Sequence, residues 1–277
     1  MAYDYQLLEI TIDKGVLFAT ISAPPINVMT LPLYMELVSF TEEVEVDDDI
    51  RAVVMQSADP DFFIAHFDVE ALLATDISEP VIRSSELNPF HLMCERMRTM
   101  PKATIAKIDG RVGGGGSEFA SSCDMRFGSL EKTKINQMEV GLGILPGGTG
   151  TQRLPRLVGR GRAMEIVLGS DDLDAATAEQ WGYLNRALPS SELDGFVDKL
   201  AYRIAGFPGE AIALAKESVN NAELPLKEGL SEEAYLFQQT MRTEGAQARM
   251  KQYMAMGGQT REIEMKIGEV CLQLGQE

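Results

Sequence analysis

IDGRVGGGGSEFASSCDM, residues 108–125, carries four consecutive glycines, Gly113 to Gly116, with Glu118 two residues beyond the last. A glycine inside a regular element costs roughly 0.5–1 kcal/mol relative to alanine, so such a run marks a backbone that some other group approaches closely. TIAKID at 104–109 reads as a strand leading into the run, and a helix opens within the glycines. Three uses of glycine fail on spacing. A phosphate-cradling loop needs Lys then Ser or Thr after its second glycine, where Ser117 and Glu118 stand. A dinucleotide fingerprint from Gly113 meets Glu118 in place of its last glycine, and one from Gly148 meets Arg153. A nucleophile elbow meets Phe119. A strand-to-helix turn remains, with bare N–H groups at the positive end of a helix dipole. Such a turn makes an oxyanion hole, with Glu118 beside whatever the amides hold. The competing reading is a turn that only lets a helix pack closely on a strand, with Glu118 as a favourable first-turn acid.

Outward from this stretch the chain alternates. YQLLEITI (5–12) and VLFATI (16–21), separated by DKG, read as a hairpin. LPLYMELVSFTEEVEV (31–46) has Leu33, Leu37 and Phe40 at helical spacing, and IRAVVMQS reads as a buried strand. A helical segment around 82–100, the glycine turn, MRFGS (125–129), KINQMEVG (134–141) and helices from about 149 follow. Strands alternating with helices predict an α/β core. Past about residue 190 only helical patterns occur: DGFVDKLAYRIAG, EAIALAKESVNNA and EEAYLFQQTMRTEGAQARMKQYMAM. The expected organisation is an α/β core over 1–195 and an α-helical region over 196–277.

The composition narrows the function. The 277 residues include 25 Lys and Arg against 42 Asp and Glu, a net charge of -17. No basic run offsets it, which argues against nucleic acid as a partner. Cys94, Cys123 and Cys271 are odd in number and lack a C-x-x-C, as suits free thiols in the cytoplasm. No acid-free leader and no apolar run of about 18 residues is present, so neither secretion nor a membrane span is expected. No metal site is read from the sequence.

A second carboxylate completes the pattern. Glu139, in KINQMEVGLGILPGGTGTQRLPRLVG (134–159), lies between a β-like run and a second glycine-rich turn. Together with Glu118 it points to paired carboxylates for acid–base work.

These residues resemble the crotonase, or enoyl-CoA hydratase/isomerase, superfamily. The resemblance runs from PPINVM through DFFIAHFDVEAL and the glycine stretch to MEVGLGILPGGTGTQRLPRLVG and LDAATAEQWGYLNRALP. It implies a crotonase-like spiral core of ββα units with an α-helical C-terminal domain. It implies further that the carbonyl of an acyl-CoA thioester is held by the backbone N–H groups of Gly115 and Phe67. Glu118 and Glu139 match the two glutamates that hold a water in the family's hydratases, with Glu139 as proton donor and Glu118 as water activator. Coenzyme A enters as part of the substrate, and no separate cofactor is implied. Ala65, His66, Asp68, Gly114 and Asn27 are the matched substrate-binding positions, Asp68 also as a helix cap and Asn27 also as the holder of a turn near the ligand. The family usually has glycine where this chain has His66, which leaves His66 as a steric adaptation, a substrate-facing polar group or a loop residue turned to solvent. His91 is read as an ordinary helix residue. The family's C-terminal helices mediate trimers, usually paired into hexamers. The expected activity is hydration of a 2-enoyl-CoA. Isomerisation, a specialised dehydratase, decarboxylase or C–C-cleaving reaction, and a non-catalytic acyl-CoA-binding oligomer are the other readings.

Overall fold

The computed structural model describes residues 3–78, 80 and 82–275. Strands β1 (Leu8–Asp13) and β2 (Val16–Ile21) form the antiparallel hairpin, turning at Lys14 and Gly15, both at positive φ. Helix α1 (Leu31–Glu45) buries Leu33, Leu37 and Phe40, the helical stripe read from the sequence, and Val44 as well. The chain then deals strands alternately to two sheets. β3 (Ala52–Ser57), β5 (Ala103–Ile108) and β7 (Met125–Ser129) join the hairpin in one sheet, and β4 (Phe62–Ile64), β6 (Arg111–Gly113) and β8 (Lys134–Asn136) form the other. The first sheet runs β1-β2-β3-β5-β7-β10, parallel from β2 onward, and is closed by β10 (Arg186–Leu188). The second runs β4-β6-β8-β9, with β9 (Leu173–Asp174) antiparallel.

Both faces of the first sheet are buried, which explains the unbroken apolar run of β3. Val53 and Met55 face the main core, while Ala52 and Val54 face Leu193, Val197, Ala201 and Ala205. Those four residues lie on a helix spanning Ser190–Ala205, so position 195 falls inside an element packed on the sheet.

Short helices fill the connections: α2 (Val69–Leu73), α3 (Pro89–Thr99), α4 (Gly114–Ser121), α5 (Gly150–Val158), α6 (Arg160–Gly169) and α7 (Ala175–Trp181). The helix expected around 82–100 begins only at Pro89. Asn88 caps it by accepting from the His91 N–H, and Pro89 is favoured in a first turn, where no N–H is needed. KINQMEVG remains a strand only to Asn136. Glu139 has helical dihedrals and opens a short 3-10 turn, Val140–Leu142, that ends at Gly143 with φ +83. The Ser190–Ala205 helix is α8, and α9 (Gly209–Asn220), α10 (Leu226–Arg242), α11 (Glu244–Ala255), α12 (Arg261–Glu264) and α13 (Ile267–Gln273) complete the chain. Thr243 divides what reads as one long helix, its hydroxyl capping Ala246 N.

Candidate active site

The four glycines sit directly against residues 64–67, at the end of β4. A Cβ on Gly113 would lie 2.6 Å from the Ala65 carbonyl oxygen, and one on Gly116 2.6 Å from that of Ile64. Gly114 takes φ +46, a left-handed conformation that costs a side-chain-bearing residue. Gly115 is the second residue of α4, so its N–H is among the four that have no acceptor within the helix, at the positive end of the dipole. A Cβ there would be 3.5 Å from the Phe67 nitrogen. Phe67 forms a one-residue parallel bridge with Met29. Met29 N–H donates to His66 O and Asp68 N–H donates to Met29 O, so the Phe67 N–H and C=O belong to the opposite edge, facing Gly115.

Glu118, in the second turn of α4, is only 4% exposed. Its Oε1 accepts from Gly148 N at 2.8 Å and Gly150 N at 2.7 Å. The loop bearing these amides must be bare: a Cβ on Gly148 would come within 2.5 Å of both Glu118 Oε2 and the Phe90 ring. His91 steadies the same loop, its Nε2–H donating to Gly147 O at 2.8 Å. Burial lifts the Glu118 carboxyl to about 7. The Glu139 charge adds to the rise, and the two amides oppose it.

Glu139 is 8% exposed. The fully buried Gln137 donates its Nε2 to both carboxylate oxygens, at 3.2 and 3.1 Å. Burial again raises this carboxyl, against the Gln137 hydrogen bond and the nearby His66. Both glutamates face a cavity of about 320 Å³ walled by Phe67, Leu72, Phe90, Gly115, Ile144 and Leu145. Phe67 and Phe90 pack edge to face at 6.1 Å, and Tyr34 stacks on Phe90 at 5.8 Å.

Of the residues singled out in the sequence, Glu118, Glu139, Phe67 and Gly115 meet at this cavity. Gly114 lies between its carboxylate and the neighbouring turn: a Cβ there would be 3.2 Å from Glu139 Oε1 and 3.3 Å from His66 Cβ. Ala65 and His66 line a separate cavity of about 260 Å³ with Ile26, Arg111 and Asn136. Asp68 caps α2 through its Oδ1 on Glu70 N. Asn27 is 1% exposed, its Oδ1 accepting from Ala23 N and its Nδ2 donating to Ser57 Oγ and Phe63 O, so its amide holds the turn. The sequence reading missed Gln137, Phe90, His91 and the 148 and 150 amides. The LPGG turn and the Gln two residues before Glu139 were visible in it, but their target was not. His91 is more than an ordinary helix residue, since its ring reaches across to the loop.

No group of three His, Cys, Asp or Glu able to hold a metal occurs among the described residues. A model of the enoyl-CoA hydratase/isomerase family matches residues 11–258. The chain belongs to this family. It is 31% identical over 223 residues to the short-chain-enoyl-CoA hydratase of Clostridium acetobutylicum, covering 78% of this chain and 82% of that one. It is 32% identical over 257 residues to a Rhizobium meliloti protein named "Probable enoyl-CoA hydratase", covering 92% and 96% of the two chains. The crystal structure of an enoyl-CoA hydratase from Geobacillus kaustophilus superposes with a TM-score of 0.84 at 27% identity, over 92% of this chain and 96% of the other. The fold is accordingly the crotonase-like α/β spiral with a helical C-terminal part, in which the pairs β3–β4, β5–β6 and β7–β8 each feed both sheets.

Proposed function

We propose that this member of the family is an enoyl-CoA hydratase, adding water across the 2,3 double bond of a 2-enoyl-CoA. The observation that carries this reading is the meeting of two buried carboxyls, Glu118 and Glu139, at one apolar cavity beside the Gly115 and Phe67 amides. An isomerisation needs one group to shuttle a proton, whereas addition of water needs one donor and one acceptor.

In the proposed reaction the thioester oxygen lies between the Phe67 and Gly115 N–H groups, which stabilise the enolate that forms as the β carbon is attacked. Burial raises both carboxyls, Glu118 to about 7 and Glu139 above the ordinary glutamate range, so the pair shares a proton near neutrality. A water bridging the pair passes that proton to Glu139. The water oxygen then bonds to the β carbon and gives a proton to Glu118, while Glu139 delivers its own to the α carbon. The cycle closes with one proton on the pair, Glu139 having acted as donor and Glu118 as base. The Gly148 and Gly150 amides favour the Glu118 anion at the moment it must act as base.

The C-terminal helices support assembly. Among the described residues from Phe207 onward only Leu236 and Val270 are buried apolar side chains, while Val219, Leu226, Leu230, Phe237 and Met265 are exposed. A surface so rich in apolar groups fits a homotrimer or a dimer of trimers. No helix among the described residues is long and apolar enough to cross a membrane, and the three free cysteines fit a cytoplasmic location. The deciding experiment follows loss of enoyl-thioester absorbance with crotonyl-CoA, for the unmodified protein and Glu139→Gln at matched folded concentration. Fast loss abolished by the substitution supports hydration. Isomerisation of a 3-enoyl-CoA without hydration, or binding without turnover, would replace it by the other readings.

A further inference from the structure

His66 stands immediately before one of the two amides assigned to the thioester oxygen, and it lines the neighbouring cavity of about 260 Å³ and not the carboxylate cavity. Instead its Nδ1 lies 2.8 Å from the carbonyl oxygen of Phe67. A carbonyl only accepts, so Nδ1 carries the hydrogen. Because Phe67 is extended, its C=O and N–H lie on one edge, and fixing the first fixes the direction of the second.

The Phe67 ring packs on Tyr34 and Phe90, but its backbone has few other ties. Strand β4 ends at Ile64, the bridge to Met29 is a single residue long, and the following α2 has five residues, none buried. The backbone of residues 65 and 66 in turn lies against the bare glycines opposite: a Cβ on Gly114 would lie 3.3 Å from His66 Cβ, and one on Gly113 2.6 Å from Ala65 O. The glycine run therefore makes room for the chain at residues 65 and 66 as well as for a ligand.

We propose that His66 is a positioning residue, whose Nδ1–H bond to the Phe67 carbonyl aims the Phe67 N–H at the thioester oxygen. This inference rests on the thioester site assigned above, and not on hydration being the reaction. A displacement of about 1 Å at such a donor costs up to about a hundredfold in rate.

The test uses 4-(dimethylamino)cinnamoyl-CoA, whose long conjugation disfavours hydration and whose absorbance moves to longer wavelength when its carbonyl is polarised. The unmodified protein, His66→Ala and His66→Asn are compared, with near-UV circular dichroism to match folded concentration. An asparagine Nδ2 is attached to Cβ through the same number of bonds as the histidine Nδ1 and can donate to Phe67 O. The expected result is a red shift with the unmodified protein, most of it lost in His66→Ala and recovered in His66→Asn. Turnover of crotonyl-CoA should follow, with kcat falling about tenfold to a hundredfold in His66→Ala, KM little changed, and rescue by asparagine. A full red shift in folded His66→Ala, or equal loss in folded His66→Ala and His66→Asn, would overturn the proposal. Absence of a shift in the unmodified protein would overturn it together with the thioester site. A normal pattern of shifts without hydration would leave it standing and remove only the hydratase reading.

Discussion

The glycine turn and the C-terminal helices are opposite kinds of structure within one chain. From Val112 to Cys123 every residue is buried, whereas α9 and α11 have no buried residue at all. In the first region backbone meets backbone at distances that leave no room for a methyl group. In the second, helices are held by their own hydrogen bonds and a few side chains, with apolar faces left open. A site for chemistry has to be finished within the protomer before a ligand arrives, but an assembly surface is finished by its partner. Substitutions should therefore act on catalysis and folding in the first region and on association in the second.

The strongest test of that contrast is chemical. Glu118→Gln and Glu139→Gln should each lower hydration of crotonyl-CoA by about 10²–10⁴-fold, a barrier increase of about 3–5 kcal/mol. In the proposed reaction both groups work on one water, so the double variant should fall far short of the product of the single effects. Steady-state kinetics on the three proteins checks this, and a multiplicative result would mean that the two carboxyls act independently.

Next in size is an effect of opposite sign on stability. Glu118 titrates at about 7 in the folded chain against 4.5 for an ordinary glutamate. Between those values the folded state holds a proton that the unfolded state has lost, so stability falls as pH rises through the window. Glu118→Gln removes that penalty and still accepts the Gly148 and Gly150 N–H bonds. Urea unfolding at pH 8 should show the variant more stable by up to about 3 kcal/mol, a gain that fades towards pH 4.5. An unchanging difference across this range would show that Glu118 is not desolvated. A variant that is more stable and less active is the signature of a group held where its charge is costly.

These same residues show how far the sequence was legible. The β-β-α-β opening, the turn at 113–116 and both glutamates follow from local patterns, since glycine runs and apolar periodicity have direct backbone meaning. The strands β4, β6, β9 and β10 were not legible, because two or three residues carry no period; they exist only through their neighbours in the sheet. The end of β8 at Asn136 was hidden for a related reason. KINQMEV reads as one β-like run, but Glu139 turns inward because Gln137 and the cavity receive it. Phe90 and Leu72 gave no signal at all, being brought to the site from distant helices. The resemblance placed the carboxylates and amides in one family pattern; what it could not supply was the ring of His66 turned back on its own neighbour.

A third test compares two added methyl groups. In Gly116→Ala the new Cβ falls 2.6 Å from Ile64 O and 2.7 Å from Ile64 Cβ, in the most tightly closed part of the turn. It should destabilise the fold by about 1–3 kcal/mol and lower activity as residues 64–67 are pushed aside. In Gly268→Ala, within α13, the Cβ meets nothing within 4 Å. There the loss of unfolded-chain entropy should dominate, and the protein should gain about 0.4–1 kcal/mol. Equal effects from the two substitutions would contradict the distinction between the regions.

The smallest effect on the fold should accompany a large effect on assembly. Leu226 and Leu230 are 79% and 53% exposed, and they lie four residues apart on α10, so they share one face. Leu226→Asp places an acid in the first turn of the helix, which the dipole favours, and Leu230→Gln keeps a good helix former. Within a single protomer the pair has little packing to lose, and unfolding of the isolated chain should change by no more than about 0.5 kcal/mol. If this face builds the proposed trimer or hexamer, sedimentation velocity should nonetheless show it replaced by smaller species, because association there would bury apolar area that the substitutions make polar. If the variant sediments as the unmodified protein does, the C-terminal apolar face is not the contact, and the exposed residues near the cavity mouth, Leu142, Ile144 and Leu145, become the next face to alter.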